Sequence, residues 1–146
     1  MVVIQNSIND KSIDEEKLIT HLDQLLTDLG KGDSELLLRM VSTKEIQTLN
    51  DTYRNKNQPT NVLSFPSDLP EEVGEAILGD VIICLDVVRI EAKQQNKTFA
   101  DHLMHMAVHG TLHLLGYDHI QPEEAETMEA LEVKILKKMN IANPYL

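Results

Sequence analysis

Four of the six histidines lie between residues 105 and 119, and three of them are spaced to meet on a helix that ends in a tight turn. His109 and His113 are four residues apart, so on a helix their imidazoles share one face, with Cβ atoms roughly 5–6 Å apart. Gly116 follows the last apolar pair of this run, where a helix can end through a left-handed residue. The chain can then turn back and bring His119 to the same point. The sequence therefore predicts a helix-turn unit that gathers three imidazoles.

Three converging imidazoles form a candidate site for one divalent metal ion, most simply zinc. Zinc in proteins prefers a tetrahedron of ligands, so three histidines leave one position open, as is typical of catalytic sites. A zinc ion at such a site lowers the pKa of its bound water to about 7 and polarises ester or phosphoryl oxygens. Nickel, copper or iron would also accept three imidazoles, so the metal's identity stays open. The pattern predicts a small metal-dependent hydrolase.

The same spacing of three histidines and one glycine occurs in the metzincin peptidases, whose pattern is His-Glu-x-x-His-x-x-Gly-x-x-His. Gly110 stands here where those enzymes carry the glutamate that acts as general base. Asp118 is the nearest carboxylate, and it could orient His119 or replace the missing base. The missing glutamate argues against a peptidase.

The remaining three histidines are not predicted to be ligands. His105 precedes His109 by one helical turn, and we expect it to be packed or to support a ligand. His21 and His102 belong to no motif, and we expect both on the surface.

The hydrophobic pattern places most strands early in the chain and most helices late. Strands are predicted at 2–5, 35–41, 61–65 and 78–85, the last two joined by a connection rich in proline, glycine and glutamate. Helices are predicted at 14–29, from 42, from 86, from 98 to about 115, and from 122, with caps at Ser12 (paired with Glu15), Ser42 and Thr98. This order predicts one α+β domain over residues 1–146, with about five helices on a small mixed sheet of about four strands. The strand order stays open.

Charge and cysteine content narrow the setting in which the chain works. Lysine and arginine number 13 against 24 aspartates and glutamates, so the net charge is −11 with neutral histidines. Such a chain binds polyanions only through a local basic patch, and its glutamates at 71–75 and 123–132 are expected to face solvent. Cys84, the single cysteine, lies in an apolar run, which indicates a buried thiol and excludes an internal disulfide. The sequence begins with no signal-peptide pattern and has no membrane-length apolar run, so a soluble cytoplasmic protein is expected.

Two further segments accompany the histidine run. Residues 54–66 read Arg-Asn-Lys-Asn-Gln-Pro-Thr-Asn-Val-Leu-Ser-Phe-Pro, and residues 78–83 read Leu-Gly-Asp-Val-Ile-Ile. Together with the run 109–119 and a closing helix that contains Glu132, these segments resemble the YbeY endoribonuclease family, the bacterial ribosomal RNA maturation factors. The resemblance covers nearly the whole chain.

The resemblance implies a zinc-dependent endoribonuclease, specific for single-stranded RNA, that acts in 16S ribosomal RNA 3′-end maturation and in ribosome quality control. It implies His109, His113 and His119 as the zinc ligands and Arg54 as a further catalytic residue. A guanidinium can clamp a phosphate through two hydrogen bonds and stays charged, which suits a phosphorane-like transition state. The implied partners are single-stranded ribosomal RNA and the ribosome or its small-subunit proteins, with no membrane.

Several other residues are candidates for contact with RNA. Lys56, Arg89 and Lys93 could form the local basic patch that the net charge requires. Ser64 and Phe65 are expected to end a core strand beside the cleft, where Phe65 could stack a base. Whether water or the RNA's own 2′-hydroxyl attacks the phosphate stays open, as does the oligomeric state.

Two other functions also fit the residues. One is a ribosome-associated assembly factor whose metal mainly shapes a binding surface, since an acidic protein suits contact with basic ribosomal proteins. The other is a zinc hydrolase of small esters or amides, which the missing glutamate and the family resemblance disfavour.

Overall fold

The computed structural model describes residues 1–67 and 77–146. Its elements in chain order are β1 (Val2–Asn6), α1 (Glu15–Asp28), β2 (Glu35–Val41), α2 (Thr43–Arg54), β3 (Val62–Pro66), β4 (Ile77–Cys84), α3 (Leu85–Gln94), α4 (Phe99–Leu114) and α5 (Pro122–Lys138). The predicted single-domain α+β architecture, with a four-stranded mixed sheet and five helices in these residues, is confirmed. The predicted connection between the last two strands, with its glutamates, lies mostly at 68–76, outside the described residues. None of the helices described is both long and apolar enough to cross a bilayer.

The sheet has the strand order β1-β2-β4-β3. β1, β2 and β4 run parallel, and β3 pairs with β4 in the antiparallel direction. Parallel neighbours need a long connection between them, and α1 supplies it between β1 and β2. β3 thus lies at one edge of the sheet, next to the strand on which α4 packs.

Helices cover both faces of the sheet. Alternate residues of β4 point to opposite faces, and they are buried on both sides. Val81 and Ile83 belong to the larger core, which α1, α4 and α5 complete. Ile82 and Cys84 belong to a smaller core with Ile46 of α2. Cys84 is fully buried, as its apolar surroundings predicted. Since α4 is fixed in the larger core, the side chains on its open face have a rigid support.

Most helix starts agree with the sequence, but α1 begins differently. Its cap is Asp14, whose side chain accepts a hydrogen bond from a backbone amide of the first turn. The predicted capping box of Ser12 with Glu15 is therefore wrong, since Ser12 lies before the helix. Serine and aspartate cap equally well, so the pattern could not separate two candidates so close together. The predicted caps Ser42 and Thr98 are confirmed by their side-chain hydrogen bonds.

Candidate metal centre

The end of α4 and the turn that follows it carry the three histidines of the predicted centre. Just beyond the helix, Gly116 adopts a φ of +98°. Its backbone amide donates to the carbonyl of His113, and that of Tyr117 donates to the carbonyl of Leu112, both at 3.1 Å. This pair of hydrogen bonds is the Schellman motif, in which a left-handed residue ends the helix. The chain then reverses direction and brings His119 back toward the helix.

The imidazoles of His109, His113 and His119 converge on one point. The ring centroid of His113 lies 4.7 Å from that of His109 and 4.9 Å from that of His119. The centroids of His109 and His119 are 5.5 Å apart. The Nε2 atoms of His109 and His113 are 3.2 Å apart. Two nitrogens bound to one tetrahedral zinc ion at about 2.0–2.1 Å would be roughly 3.3 Å apart. The donor set and its spacing therefore fit a metal ion, and this group could hold one.

The electrostatics around His113 also suit a ligand. Burial lowers the pKa of His113, and the nearby imidazoles of His109 and His119 lower it further. The carboxylate of Asp118 opposes these effects without reversing them. Asp118 also accepts a hydrogen bond from the backbone amide of His119 at 2.7 Å, which fixes the backbone there. Since metals bind the neutral imidazole, His113 offers a lone pair at neutral pH.

A fully buried carboxylate lies behind the histidines. Glu132 of α5 accepts hydrogen bonds from Nδ1 of His109 at 2.7 Å, from Nε2 of His105 at 2.8 Å and from the hydroxyl of Tyr145. Burial alone would raise the pKa of the Glu132 carboxyl, but these three hydrogen bonds outweigh it and lower the pKa to about 2. Burial and the carboxylate raise the pKa of Tyr145, so its hydroxyl remains a donor. Glu132 is therefore ionised and fully hydrogen-bonded.

Two expectations from the sequence are wrong in this region. Glu132 was expected to face solvent with the other glutamates of α5, yet it is fully buried, whereas Glu123, Glu124, Glu126 and Glu129 are exposed. His102 was expected on the surface, yet it is 3% exposed. Its Nε2 lies 2.9 Å from Glu91, and burial lowers its pKa. α4 is buried on most of its circumference, so a polar residue there is enclosed unless it points to the cleft.

The three histidines open onto a cleft of about 680 Å³. The polar side chains along it come from α2, from the segment that follows α2 and from β3; they are Asn50, Arg54, Lys56, Gln58, Thr60, Asn61 and Ser64. Arg54, Lys56 and Ser64, which were predicted to act on or contact RNA, thus lie in one cleft with the predicted ligands. Phe65 borders this group rather than lining the cleft itself.

Arg54 is held at the cleft by contacts on two sides. α2 ends there because Asn55 adopts a left-handed φ of +57°. Nη2 of Arg54 donates to the carbonyl of Ser64 at 3.1 Å, and the guanidinium lies 5.5 Å from the centroid of the Phe65 ring. A guanidinium has five N–H donors, so this carbonyl uses one and leaves a fork for an anion.

Arg89 and Lys93 do not join this basic group. Arg89 forms an ion pair with Asp10 at 2.5 Å, and its guanidinium lies 4.6 Å from the centroid of the Phe99 ring. Lys93 is exposed on α3, and neither residue lines the cleft. Of the three cations proposed for the patch, Lys56 is the one that lies beside Arg54, within the part of the chain that the structure describes.

Close packing at Gly110 explains why no glutamate follows His109. A Cβ at Gly110 would lie 2.7 Å from Cγ1 of Val81 and 3.1 Å from both Oγ of Ser64 and Cγ2 of Val62. The hydroxyl of Ser64 also donates to the carbonyl of Gly110 at 2.9 Å. α4 therefore packs against β3 and β4 with no room for a side chain. The fold excludes the metzincin general base at this position.

Known proteins match the chain over most of its length. A family model described as Endoribonuclease YbeY matches residues 3–140. A relative of that name from Vesicomyosocius okutanii subsp. Calyptogena okutanii is 58% identical, and one from Ruthia magnifica subsp. Calyptogena magnifica is 56% identical; each match covers 99% of this chain and 100% of the relative. The solution structure of a Thermotoga maritima protein is 28% identical with a TM-score of 0.63, covering 96% of this chain and 92% of that one. The similarity in sequence and the similarity in fold therefore both extend along nearly the whole chain.

Proposed function

The chain belongs to the Endoribonuclease YbeY family, and we propose that it uses one zinc ion to cleave single-stranded RNA. It is an endoribonuclease, and its role is in ribosomal RNA maturation. We propose that its substrate is the 3′ end of 16S ribosomal RNA. We also propose that it acts in ribosome quality control and that it is located in the cytoplasm. The observation that carries the proposal is the cleft in which Arg54 accompanies three converging histidines.

His109, His113 and His119 are the proposed metal ligands. Their nitrogens lie within 4.8 Å of one another, and the low pKa of His113 keeps that imidazole available. When bound, the metal supplies Lewis acidity to a phosphate oxygen. We propose zinc because three imidazoles with an open fourth position are its usual catalytic coordination, although nickel, copper and iron accept the same donors.

Arg54 is the proposed catalytic cation. Its guanidinium can donate two parallel hydrogen bonds to the phosphate that is being cleaved, while the carbonyl of Ser64 and the ring of Phe65 fix its direction. Negative charge grows on the phosphoryl oxygens in the transition state, so a fixed cation stabilises that state more than the substrate. Asp118 is a candidate for handling the proton, since its carboxylate lies next to His119, whose backbone amide donates to it.

Two neighbouring residues extend this site along an RNA strand. Lys56 lines the same cleft and can neutralise an adjacent phosphate. The Phe65 ring lies against Arg54 and packs edge-on with Tyr53 at 5.2 Å, where an unpaired base could stack. A base is free to stack only when it is unpaired, which supports a preference for single strands.

The proposal is tested by cleavage assays with defined metal content. The purified protein should contain about one zinc per chain by mass spectrometry, and EDTA should abolish cleavage of a single-stranded 16S ribosomal RNA fragment until zinc is restored. The triple variant of His109, His113 and His119 to alanine should contain no zinc and show no cleavage. His21→Ala, a histidine on α1 outside the cleft, is the matched control and should behave as wild type. Full activity in EDTA would contradict the proposal.

The ends of the products separate the two possible nucleophiles. Attack by water leaves no cyclic phosphate, whereas attack by the 2′-hydroxyl of the RNA leaves a 2′,3′-cyclic phosphate. A substrate with a 2′-O-methyl group at the cleavage site resolves the question, because it blocks the second route alone.

A second candidate is a ribosome-assembly factor that binds basic ribosomal proteins. The net charge of −11 and the exposed glutamates of α5, which are Glu123, Glu124, Glu126 and Glu129, favour such contacts. Growth and ribosome profiles of cells that carry His113→Ala distinguish the two. Normal 16S maturation in those cells would favour the assembly factor over the nuclease.

A further inference from the structure

We propose that Glu132 and Tyr145 are positioning residues for the metal ligand His109, so that docking of the segment 143–146 sets the metal affinity of the centre. The inference rests on the proposed metal-dependent function and deepens it. It assigns roles to residues of α5 and of the segment 143–146, both outside the helix and turn that supply the three ligands.

The two ring nitrogens of His109 face different partners. Nδ1 lies 2.7 Å from Oε1 of Glu132, and Nε2 lies 3.2 Å from Nε2 of His113. An ionised carboxylate can only accept hydrogen bonds, so Nδ1 of His109 carries the proton. The lone pair then resides on Nε2, which faces the other imidazoles. Glu132 therefore selects the tautomer of His109 that can bind a metal, as carboxylates behind metal-bound histidines commonly do.

Glu132 is itself held in place by neighbouring side chains. Its carboxylate is fully buried, so protein donors rather than solvent fix its orientation. Oε2 accepts from Nε2 of His105 at 2.8 Å and from the hydroxyl of Tyr145. Nδ1 of His105 is buried and has no hydrogen-bond partner within the described residues, so Nε2 is the ring nitrogen that donates to Glu132. Each oxygen of Glu132 thus has a defined donor.

The segment 143–146, which carries Tyr145, is held by hydrogen bonds of its own. Nζ of Lys97 donates to the carbonyl of Pro144 at 2.8 Å, and the amide of Tyr145 donates to Oδ1 of Asn143 at 2.9 Å. The Tyr145 ring packs edge-on against His105, with centroids 5.6 Å apart. The segment is therefore docked on α4 directly behind the centre. Loss of this docking would remove one of the two donors on Oε2 of Glu132.

A second metal ion is the main alternative, because His105, His109 and Glu132 also form a group of possible ligands. The nitrogen–oxygen distances in this group are 2.7 and 2.8 Å, which are hydrogen-bond lengths. Ligands of one zinc ion would be roughly 3.3 Å apart at tetrahedral geometry. The geometry points to hydrogen bonds here and to one ion per chain.

Zinc affinity tests the inference. Metal-depleted protein is titrated with zinc in competition with a chromophoric chelator, and bound zinc is counted per chain. Glu132→Gln should weaken binding by roughly 10- to 100-fold, and Tyr145→Phe by roughly 2- to 10-fold, the effect of one lost hydrogen bond. Glu126→Gln, an exposed carboxylate on the same helix, should leave the affinity unchanged.

A second measurement separates positioning from a merely structural role. Nitrogen-15 NMR of the histidine rings in the metal-free protein should show His109 protonated on Nδ1, and Glu132→Gln should shift it toward the Nε2-protonated form. Circular dichroism confirms that each variant is folded. If Glu132→Gln does not fold, Tyr145→Phe carries the affinity test.

The outcomes of the two proposals are distinguishable. A wild-type protein that binds no zinc overturns the proposed metal-dependent function. A wild-type protein that binds one zinc, with Tyr145→Phe and any folded Glu132→Gln variant equal to it, overturns the positioning role alone. Two zinc ions per wild-type chain would also overturn it, since Glu132 would then be a ligand.

Discussion

At the scale of single residues, the guanidinium of Arg54 is the proposed catalytic cation. It lies in the cleft with the histidines, and the carbonyl of Ser64 and the ring of Phe65 fix its direction. A lysine could supply the same charge but would not supply two parallel donors. Geometry rather than charge alone should therefore decide the effect of a substitution.

We expect Arg54→Lys to lower kcat for single-stranded RNA by roughly 10²-fold, with a small change in KM, because the lost fork acts mainly in the transition state. Single-turnover cleavage with saturating enzyme measures the chemical step. Arg39→Lys is the matched control, since Arg39 pairs with Glu45 and does not line the cleft. Cleavage by Arg54→Lys at the wild-type rate would refute a role for the fork.

The convergence of three histidines could be predicted because helical spacing and one turn glycine determine it locally. Glu132 was mistaken for a surface residue because it lies in a cluster of glutamates. The other glutamates of α5 are indeed exposed. A signal was present, however: Met128, Glu132 and Leu136 recur every four residues, and the two apolar members are fully buried or nearly so. A carboxylate on an apolar stripe indicates a buried partner, but the sequence does not say that the partner is His109.

At the scale of elements, the contact of α4 with β3 and β4 positions the metal centre. Gly110→Ala would place a methyl group 2.7 Å from Val81, against a scaffold that is buried on both sides. Alanine favours a helix by up to about 1 kcal/mol over glycine, but overpacking costs about 1–3 kcal/mol, so the net effect should be destabilising.

We expect Gly110→Ala to lower the free energy of unfolding of the metal-free protein by about 1–2 kcal/mol in urea titrations, and to weaken zinc binding because α4 must shift. Gly32→Ala is the control, since its Cβ would meet mainly the hydroxyl of the exposed Thr27. An unchanged urea midpoint for Gly110→Ala would show that α4 tolerates the extra group.

The ion pair between Asp10 and Arg89 connects the segment before α1 to α3. Hydrogen bonds from Ser12 and Arg89 lower the pKa of Asp10 from 3.8 to about 2. A carboxyl whose pKa is lower in the folded state stabilises the fold above its ordinary pKa, and the contribution disappears as the pH falls toward the folded value. The stabilisation should therefore be complete above about pH 5 and absent only below pH 2.

We expect Asp10→Asn to lower the free energy of unfolding by about 1 kcal/mol at pH 7, a value reduced for partial solvent exposure. The difference from wild type should shrink as the pH falls below about 5 and vanish only below pH 2. Urea titrations at several pH values measure it, with Asp33→Asn, an exposed aspartate, as the control. A difference as large at pH 2 as at pH 7 would show that the effect does not come from ionisation.

The elements themselves could be predicted within a few residues, but their arrangement could not. Strand periodicity tells which residues alternate between faces, not which strand is the neighbour. The order β1-β2-β4-β3 places β4 beside β2 and leaves β3 at the edge. This arrangement depends on how α2 and α4 cover the two faces of the sheet. The burial of His102 was missed for the same reason, because it follows from the layers packed around α4.

At the scale of the whole molecule, an RNA enzyme with a net charge of −11 must confine its attraction for phosphate to a small area. We propose that Arg54 and Lys56 in the cleft provide that area, whereas Arg89 is paired with Asp10 elsewhere. Exposed glutamates at the start of α5 lie close to the turn that carries Asp118. We therefore expect long or duplex RNA to be repelled outside the cleft.

Few phosphate contacts imply a weak dependence of RNA affinity on salt. Two cations displacing counterions from single-stranded RNA give a slope of about −1.4 for log affinity against log salt. We expect Lys56→Ala to reduce the slope to about −0.7, whereas Lys44→Ala, an exposed lysine of α2 that does not line the cleft, should leave it unchanged. Fluorescence anisotropy of labelled single-stranded RNA with the zinc-loaded protein, read before cleavage, measures the slope. A slope steeper than about −3 would require more cations than the described residues of this cleft supply, and RNA would then bind across a wider surface.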